Sequence, residues 1–97
     1  MRASFVPEAV EGGARAGRVE VAQGSFSTPC FMPVGTRGAV RHLSSADLAR
    51  LGVEVVLANT YHLMLRPGAE VVRDLGGLAS FAAWDGLTLT DSGGYQI

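Results

Sequence analysis

Lysine is absent from this sequence, cysteine occurs once, and no apolar run reaches the roughly 18 residues of a transmembrane helix. The single cysteine, Cys30, excludes an internal disulfide and suits a reducing compartment. One cysteine and two separated histidines, His42 and His62, cannot assemble a zinc site. The first residues also lack the apolar core of a signal peptide. We therefore expect a cytoplasmic protein with no membrane partner.

Charge of either sign is scarce as well. The net charge is -1, and 18% of the residues are charged against 47% that are hydrophobic. A chain this close to neutral has no global basic field, so contact with nucleic acid must depend on local arginines or on further sequence. The composition is that of a globular protein, and 97 residues allow at most one domain.

The first 28 residues predict a small antiparallel sheet or hairpin. Arg18–Val21 alternates polar and apolar side chains, which is typical of a half-buried strand. A turn at Gln23–Gly24 lets Phe26–Thr28 return as the second arm of a hairpin. The residues before Arg18 predict an irregular start.

From residue 29 to residue 97, short apolar strands alternate with helical patterns. The predicted elements are a strand at Cys30–Val34, a helix at Asp47–Leu51 behind a Ser44 capping box, a strand at Val53–Ala58, a helix at Ala69–Leu75 and a strand at Leu87–Thr90. Strand, helix and strand within about 30 residues form a right-handed parallel unit. The predicted fold class is α/β, either a (β/α)8 barrel or an open parallel sheet. A barrel needs roughly 250 residues, so we expect an incomplete domain with about three of eight units, from the N-terminal part of a longer protein.

Apolar side chains in the second half of the chain predict parts of the core. Val71, Val72 and Leu75 lie on one side of a predicted helix and are expected to be buried. Phe81 and Trp84 are expected to line the core, because a lone tryptophan more often packs than stacks on a ligand.

Polar side chains follow the predicted strands at their carboxyl ends, where parallel α/β folds place their sites. Asn59-Thr60-Tyr61-His62 follows one strand, and Asp91-Ser92-Gly93-Gly94-Tyr95-Gln96 follows the next. An acid, two glycines and a ring can form a pocket for a planar, polar ligand. The alternative is an ordinary turn in which Asp91 caps the next helix. Arg37, in the loop after the first strand, either meets an anion or is a solvated loop arginine.

Several stretches, in this order and spacing, closely resemble the bacterial tRNA-guanine transglycosylases, also called queuine tRNA-ribosyltransferases. The resemblance runs from about Arg15 to the end of the chain. It is carried by Thr28–Thr36, Leu57–Leu63, Leu65–Gly68, Trp84–Gly86 and Thr90–Gln96.

The resemblance implies the N-terminal portion of a (β/α)8 TIM barrel preceded by a small antiparallel sheet. It implies an enzyme of queuosine biosynthesis that exchanges guanine at wobble position 34 of tRNA for the 7-deazaguanine prequeuosine-1, through a covalent ribosyl-enzyme intermediate. Asp91 would be the general acid and base, and Tyr95 would stack on the purine. Ser92, Gly93 and Gly94 would line the base pocket, and Asn59 would contact the ribose.

The family's other requirements are expected outside these 97 residues. They are the aspartate nucleophile, the ligands of a structural zinc ion and most of the surfaces for tRNA and for a homodimer. No organic cofactor is implied. We therefore expect the 97 residues alone to be inactive.

Two alternatives remain at this point. One is a non-catalytic subunit of the same family, which the presence of Asp91 argues against. The other is a different parallel α/β barrel enzyme, whose Asp91 at a strand end binds a metal or a phosphate-bearing substrate.

Overall fold

The structure is a computed structural model that describes residues 2–94. The chain divides into two compact units, residues 1–31 and residues 32–97. Within residues 2–94, none of the helices has the length and apolar character needed to cross a lipid bilayer.

The first unit contains a three-stranded antiparallel sheet of strands β1 (Ser4–Glu11), β2 (Ala14–Val21) and β3 (Gly24–Thr28), in that order. The predicted hairpin is confirmed as β2 and β3, with Val19 opposite Phe26. The expectation of an irregular start is wrong, because β1 pairs with β2 along most of its length. Most of β1 is exposed, and its register shifts between Pro7 and Ala9. This strand is formed by its backbone pairing with β2, and its side chains do not alternate between buried and exposed. The alternating pattern by which a sequence predicts a strand is therefore missing here.

The second unit contains two parallel strands, β4 (Val55–Asn59) and β5 (Leu87–Asp91). A third segment extends this sheet on the other side of β4. There Gly35 donates its N–H to the Leu57 carbonyl at 2.7 Å, and Leu57 donates to the Pro33 carbonyl at 2.9 Å. The predicted strand at Cys30–Val34 is thus reduced to one parallel bridge between Val34 and Leu57. Pro33 has no N–H to donate to a ladder, which explains the short pairing. Barrel closure stays a prediction.

Within residues 32–94, four short helices accompany the parallel strands: α1 (Ser45–Arg50), α2 (Thr60–Leu65), α3 (Ala69–Asp74) and α4 (Leu78–Ala82). The predicted helices correspond to α1 and α3, whereas α2 and α4 were not predicted. Leu48, Val56 and Trp84 form the core cluster of this unit. The core position of Trp84 is confirmed, and its Nε1 donates to the Leu87 carbonyl at 2.8 Å. Phe81 is half-buried.

The apolar side of α3 is more exposed than its pattern predicts. Val71 is 42% exposed and Leu75 is 55% exposed, while Val72 is half-buried. The expectation that all three are buried is therefore wrong for the part of the chain that the structure describes. A helical pattern marks an apolar side, but burial requires another element to cover it, and Val71 and Leu75 are left largely uncovered within the described residues.

Helix α1 begins with a complete capping box. The Ser44 side chain accepts a hydrogen bond from the Asp47 N–H at 3.1 Å, and Asp47 Oδ2 accepts one from the Ser44 N–H at 2.9 Å. The Ser44 backbone N–H and side chain hold the pKa of Asp47 below its ordinary value; burial opposes them, and the Arg50 guanidinium adds the smallest contribution to the lowering. The resulting contribution to stability is present above the carboxyl's unfolded pKa and is lost as pH falls through the lowered folded pKa.

Replacing Ser44 with alanine is expected to lower the free energy of unfolding by about 1 kcal/mol, because the cap of α1 loses its side-chain acceptor. Denaturant unfolding of the full-length protein measures this difference. Ser25→Ala, at an exposed position of β3, is the matched control and is expected to change stability by less than about 0.5 kcal/mol. Equal losses in the two variants would contradict the role of the cap.

Candidate functional site

The carboxyl ends of the two parallel strands bring Asn59 and Asp91 together. The register of β4 against β5 runs from Val55 opposite Leu87 to Asn59 opposite Asp91. Polar residues that lie 32 positions apart in the sequence are therefore direct cross-strand neighbours at one edge of the sheet. In parallel α/β folds this edge is where binding sites form.

The turn after β5 holds the carboxylate of Asp91. Asp91 Oδ1 accepts a hydrogen bond from the Gly93 N–H at 3.0 Å, and the next residue repeats the motif, with Ser92 Oγ accepting from the Gly94 N–H at 3.1 Å. Asp91 and Ser92 are exposed. A turn, as in the alternative given in the sequence analysis, is therefore present, whereas the next helix, which Asp91 would cap in that alternative, lies outside the described residues. The turn does not exclude a site, because a carboxylate has two oxygens and roughly four lone-pair positions.

Asn59 is buried and caps the helix that follows it. The residue is 7% exposed, and its Oδ1 accepts a hydrogen bond from the His62 N–H at 3.0 Å. Thr60, Tyr61 and His62 accordingly form the first turn of α2. The Tyr61 and His62 rings meet edge to face, with centroids 5.9 Å apart.

Gly93 connects the turn after β5 with the first turn of α2. It is buried, its φ is +66°, and a Cβ added to it would lie 2.4 Å from the Tyr61 Cβ and 2.9 Å from Asn59 Oδ1. The turn that holds Asp91 therefore packs directly on the first turn of α2. The pair of glycines in the sequence indicated close approach, but nothing in the sequence indicated that Tyr61 is the residue approached.

Arg37 lies in a turn at the same edge of the sheet. The turn is closed by the Gly38 N–H, which donates to the Gly35 carbonyl at 3.2 Å. Because Val34 pairs in parallel with Leu57, this turn follows the carboxyl end of the segment beside β4. Arg37 is exposed there. An exposed arginine at this edge of the sheet can meet an anion such as a phosphate group.

Comparison with known proteins assigns the chain. The model of the queuine tRNA-ribosyltransferase family matches residues 10–97. The chain belongs to this family. A queuine tRNA-ribosyltransferase of Thermus thermophilus is 57% identical over 93 residues, which cover 96% of this chain and 24% of that relative. One from Xanthomonas euvesicatoria is 51% identical over 96 residues, covering 99% of this chain and 25% of the relative. One from Oceanobacillus iheyensis is 54% identical over 85 residues, covering 88% and 22%.

The queuine tRNA-ribosyltransferase match leaves the roles of single residues as predictions. The chain spans about a quarter of the length of the curated relatives it matches. The structure places Asn59 and Asp91, with Ser92, Gly93 and Gly94, at one edge. Tyr95, the predicted stacking residue, lies outside the described residues. Residues 2–94 contain no group of three or more His, Cys, Asp or Glu side chains that could hold a metal ion.

Proposed function

We propose that the full-length protein exchanges guanine at wobble position 34 of tRNA for the 7-deazaguanine prequeuosine-1, in queuosine biosynthesis. The observation that carries this proposal is the pairing of Asp91 with Asn59 at the carboxyl edge of β4 and β5, in a chain of the queuine tRNA-ribosyltransferase family. At that edge the exposed carboxylate of Asp91 lies opposite Asn59, the residue that caps the start of α2.

In the proposed reaction, a carboxylate elsewhere in the full-length protein attacks C1′ of the ribose, and the bond from C1′ to guanine N9 breaks. Guanine leaves with the electron pair of that bond, and Asp91 donates the proton that neutralises it. Prequeuosine-1 then attacks C1′, the bond to the nucleophilic carboxylate breaks, and Asp91 accepts the proton that the incoming base loses. Two displacements at C1′ retain its configuration.

The turn after β5 is suited to bind the base. The guanine must leave its stack before any residue can reach the glycosidic bond. In the proposed complex, Tyr95 stacks on the extruded purine, and Ser92, Gly93 and Gly94 line the pocket around its polar edge. Gly93 already holds Asp91 Oδ1, which leaves the other carboxylate oxygen for the base. Asn59 contacts the ribose of the reacting nucleotide.

The same proposal covers the rest of the enzyme. We place the parallel strands in a (β/α)8 barrel, the protein in the cytoplasm and its active form in a homodimer. The structural zinc ion expected from the family does not fit residues 2–94, which lack a group of ligands for it. Its ligands are proposed to lie elsewhere in the full-length protein, and the proposed exchange uses no organic cofactor.

Exchange of labelled guanine tests this function. Full-length protein is incubated with tRNA that carries labelled guanine at position 34, with and without prequeuosine-1, and with an Asp91→Ala variant as the blank. Release of label that depends on prequeuosine-1 and is absent from the blank is the expected result. A folded protein that releases no label would favour a non-catalytic subunit.

Arg37→Ala is expected to weaken tRNA binding and to reduce the slope of log affinity against log salt concentration by about 1, since one phosphate contact is lost. Titration of the full-length protein with tRNA at several salt concentrations measures that slope. Arg50→Ala is the control, because Arg50 is also exposed but pairs with Asp47. Identical slopes for wild-type protein and Arg37→Ala would show that Arg37 contacts no phosphate.

A further inference from the structure

The Asn59 side chain lies where the end of β4, the first turn of α2 and the turn after β5 meet. Its Oδ1 accepts the His62 N–H at 3.0 Å, which holds the first turn of α2 against the end of β4. The same Oδ1 lies 2.9 Å from where a Cβ on Gly93 would be. Only 7% of Asn59 is exposed, so its Oδ1 is held in a fixed position behind the turn after β5.

Gly93 connects the Asn59 side chain to the Asp91 carboxylate. Gly93 lies against Asn59 Oδ1 and the Tyr61 Cβ, and its N–H donates to Asp91 Oδ1 at 3.0 Å. Removing the Asn59 oxygen would release the first turn of α2 and open space behind Gly93. The N–H that orients the carboxylate would then lose its fixed position.

We propose that Asn59 is a positioning residue for Asp91, acting through the helix cap and Gly93, and that this role is separate from any contact of its amide group with substrate. The inference rests on the proposed base exchange. It divides the Asn59 side chain into two functional parts, an oxygen that serves the geometry of Asp91 and an amide NH₂ that is available to the ribose. Misplacing a group in the reacting geometry by about 1 Å can reduce the rate about 100-fold.

Two substitutions separate these parts. Serine keeps an oxygen that can cap α2 but lacks the amide, whereas alanine lacks both. Aspartate is unsuitable, because it would place a second carboxylate directly opposite Asp91. The full-length protein, its Asn59→Ser variant and its Asn59→Ala variant are compared for kcat and for KM towards tRNA in the exchange of labelled guanine.

We expect Asn59→Ala to lower kcat roughly 10- to 100-fold, in line with a misplaced proton donor. Asn59→Ser is expected to recover most of that kcat. Both variants are expected to raise KM to a similar extent, because loss of a contact made equally in the bound substrate and the transition state raises KM alone. Hydrogen exchange of a peptide that contains the Gly93 N–H, followed by mass spectrometry, is expected to be faster in Asn59→Ala than in Asn59→Ser.

The outcomes are distinct. Equal kcat values for the serine and alanine variants, or equal exchange at the Gly93 N–H, would overturn the positioning role while leaving the base exchange intact. Wild-type protein that exchanges no guanine would overturn the proposed function instead, and the hydrogen-exchange comparison would still decide the structural coupling. If Asn59→Ala fails to fold, hydrogen exchange in the serine variant decides: exchange at the Gly93 N–H close to that of the wild type supports the positioning role, and faster exchange overturns it.

Discussion

Full-length protein with Asp91→Asn is expected to lose guanine exchange by a factor of about 10² to 10⁴, the usual contribution of a general acid or base. Asparagine keeps an oxygen that can accept the Gly93 N–H, which is 3.0 Å from Asp91 Oδ1, so the turn after β5 is preserved. What it removes is the carboxyl group's ability to donate and accept a proton. The loss is therefore expected in kcat, with tRNA binding close to that of the wild type, as measured by steady-state release of labelled guanine.

Asp85→Asn is the matched control for this experiment. Asp85 is also an exposed aspartate, but it precedes β5, at the opposite end of the strand from Asp91. Its substitution removes the same charge from the chain and is expected to leave exchange within about twofold of wild type, because surface changes away from a site have small effects. Full activity in Asp91→Asn, or an equal loss in both variants, would assign the proton transfer to another group.

Gly93→Ala is expected to produce the second largest loss, roughly 100-fold in kcat. A methyl group at Gly93 would lie 2.4 Å from the Tyr61 Cβ, which is the base of a side chain and cannot move without its helix. The φ of +66° is also unfavourable for alanine, by roughly 1 to 2 kcal/mol. The turn must therefore shift away from α2, and its N–H moves with respect to Asp91. Measurement of kcat, together with the free energy of unfolding, separates the two effects.

Gly52→Ala isolates the cost of the backbone conformation. Gly52 has a φ of +79°, but nothing lies within 4 Å of the position its Cβ would take. It is expected to lose a similar amount of stability from the positive φ and to keep its kcat. If both glycine variants lost kcat equally, reduced stability rather than contact with Tyr61 would explain the effect. If Gly93→Ala kept full activity, the close packing of this turn on α2 would be unimportant for the reaction.

Local patterns predicted the elements whose cause is itself local. The capping box predicted the start of α1, because the reciprocal hydrogen bonds of Ser44 and Asp47 span only three residues. The apolar run before Asn59 predicted β4 to within a residue or two at each end. β1 was missed, because it exists through pairing with β2 and shows little alternation in burial. The segment at Cys30–Val34 has the composition of a strand, but Pro33 limits its pairing.

The sequence by itself determined the family to which the chain belongs. It also determined the order in which the parallel strands occur along the chain and which polar residues follow each strand. These depend on residue type and spacing alone. The tertiary structure decided which polar residues meet, because the parallel register places Asn59 opposite Asp91. It also decided that Gly93 must remain a glycine beside Tyr61, since this contact joins residues about 30 positions apart. Exposure of Val71 and Leu75 was likewise decided there, because burial of an apolar side requires a neighbouring element as well as a pattern.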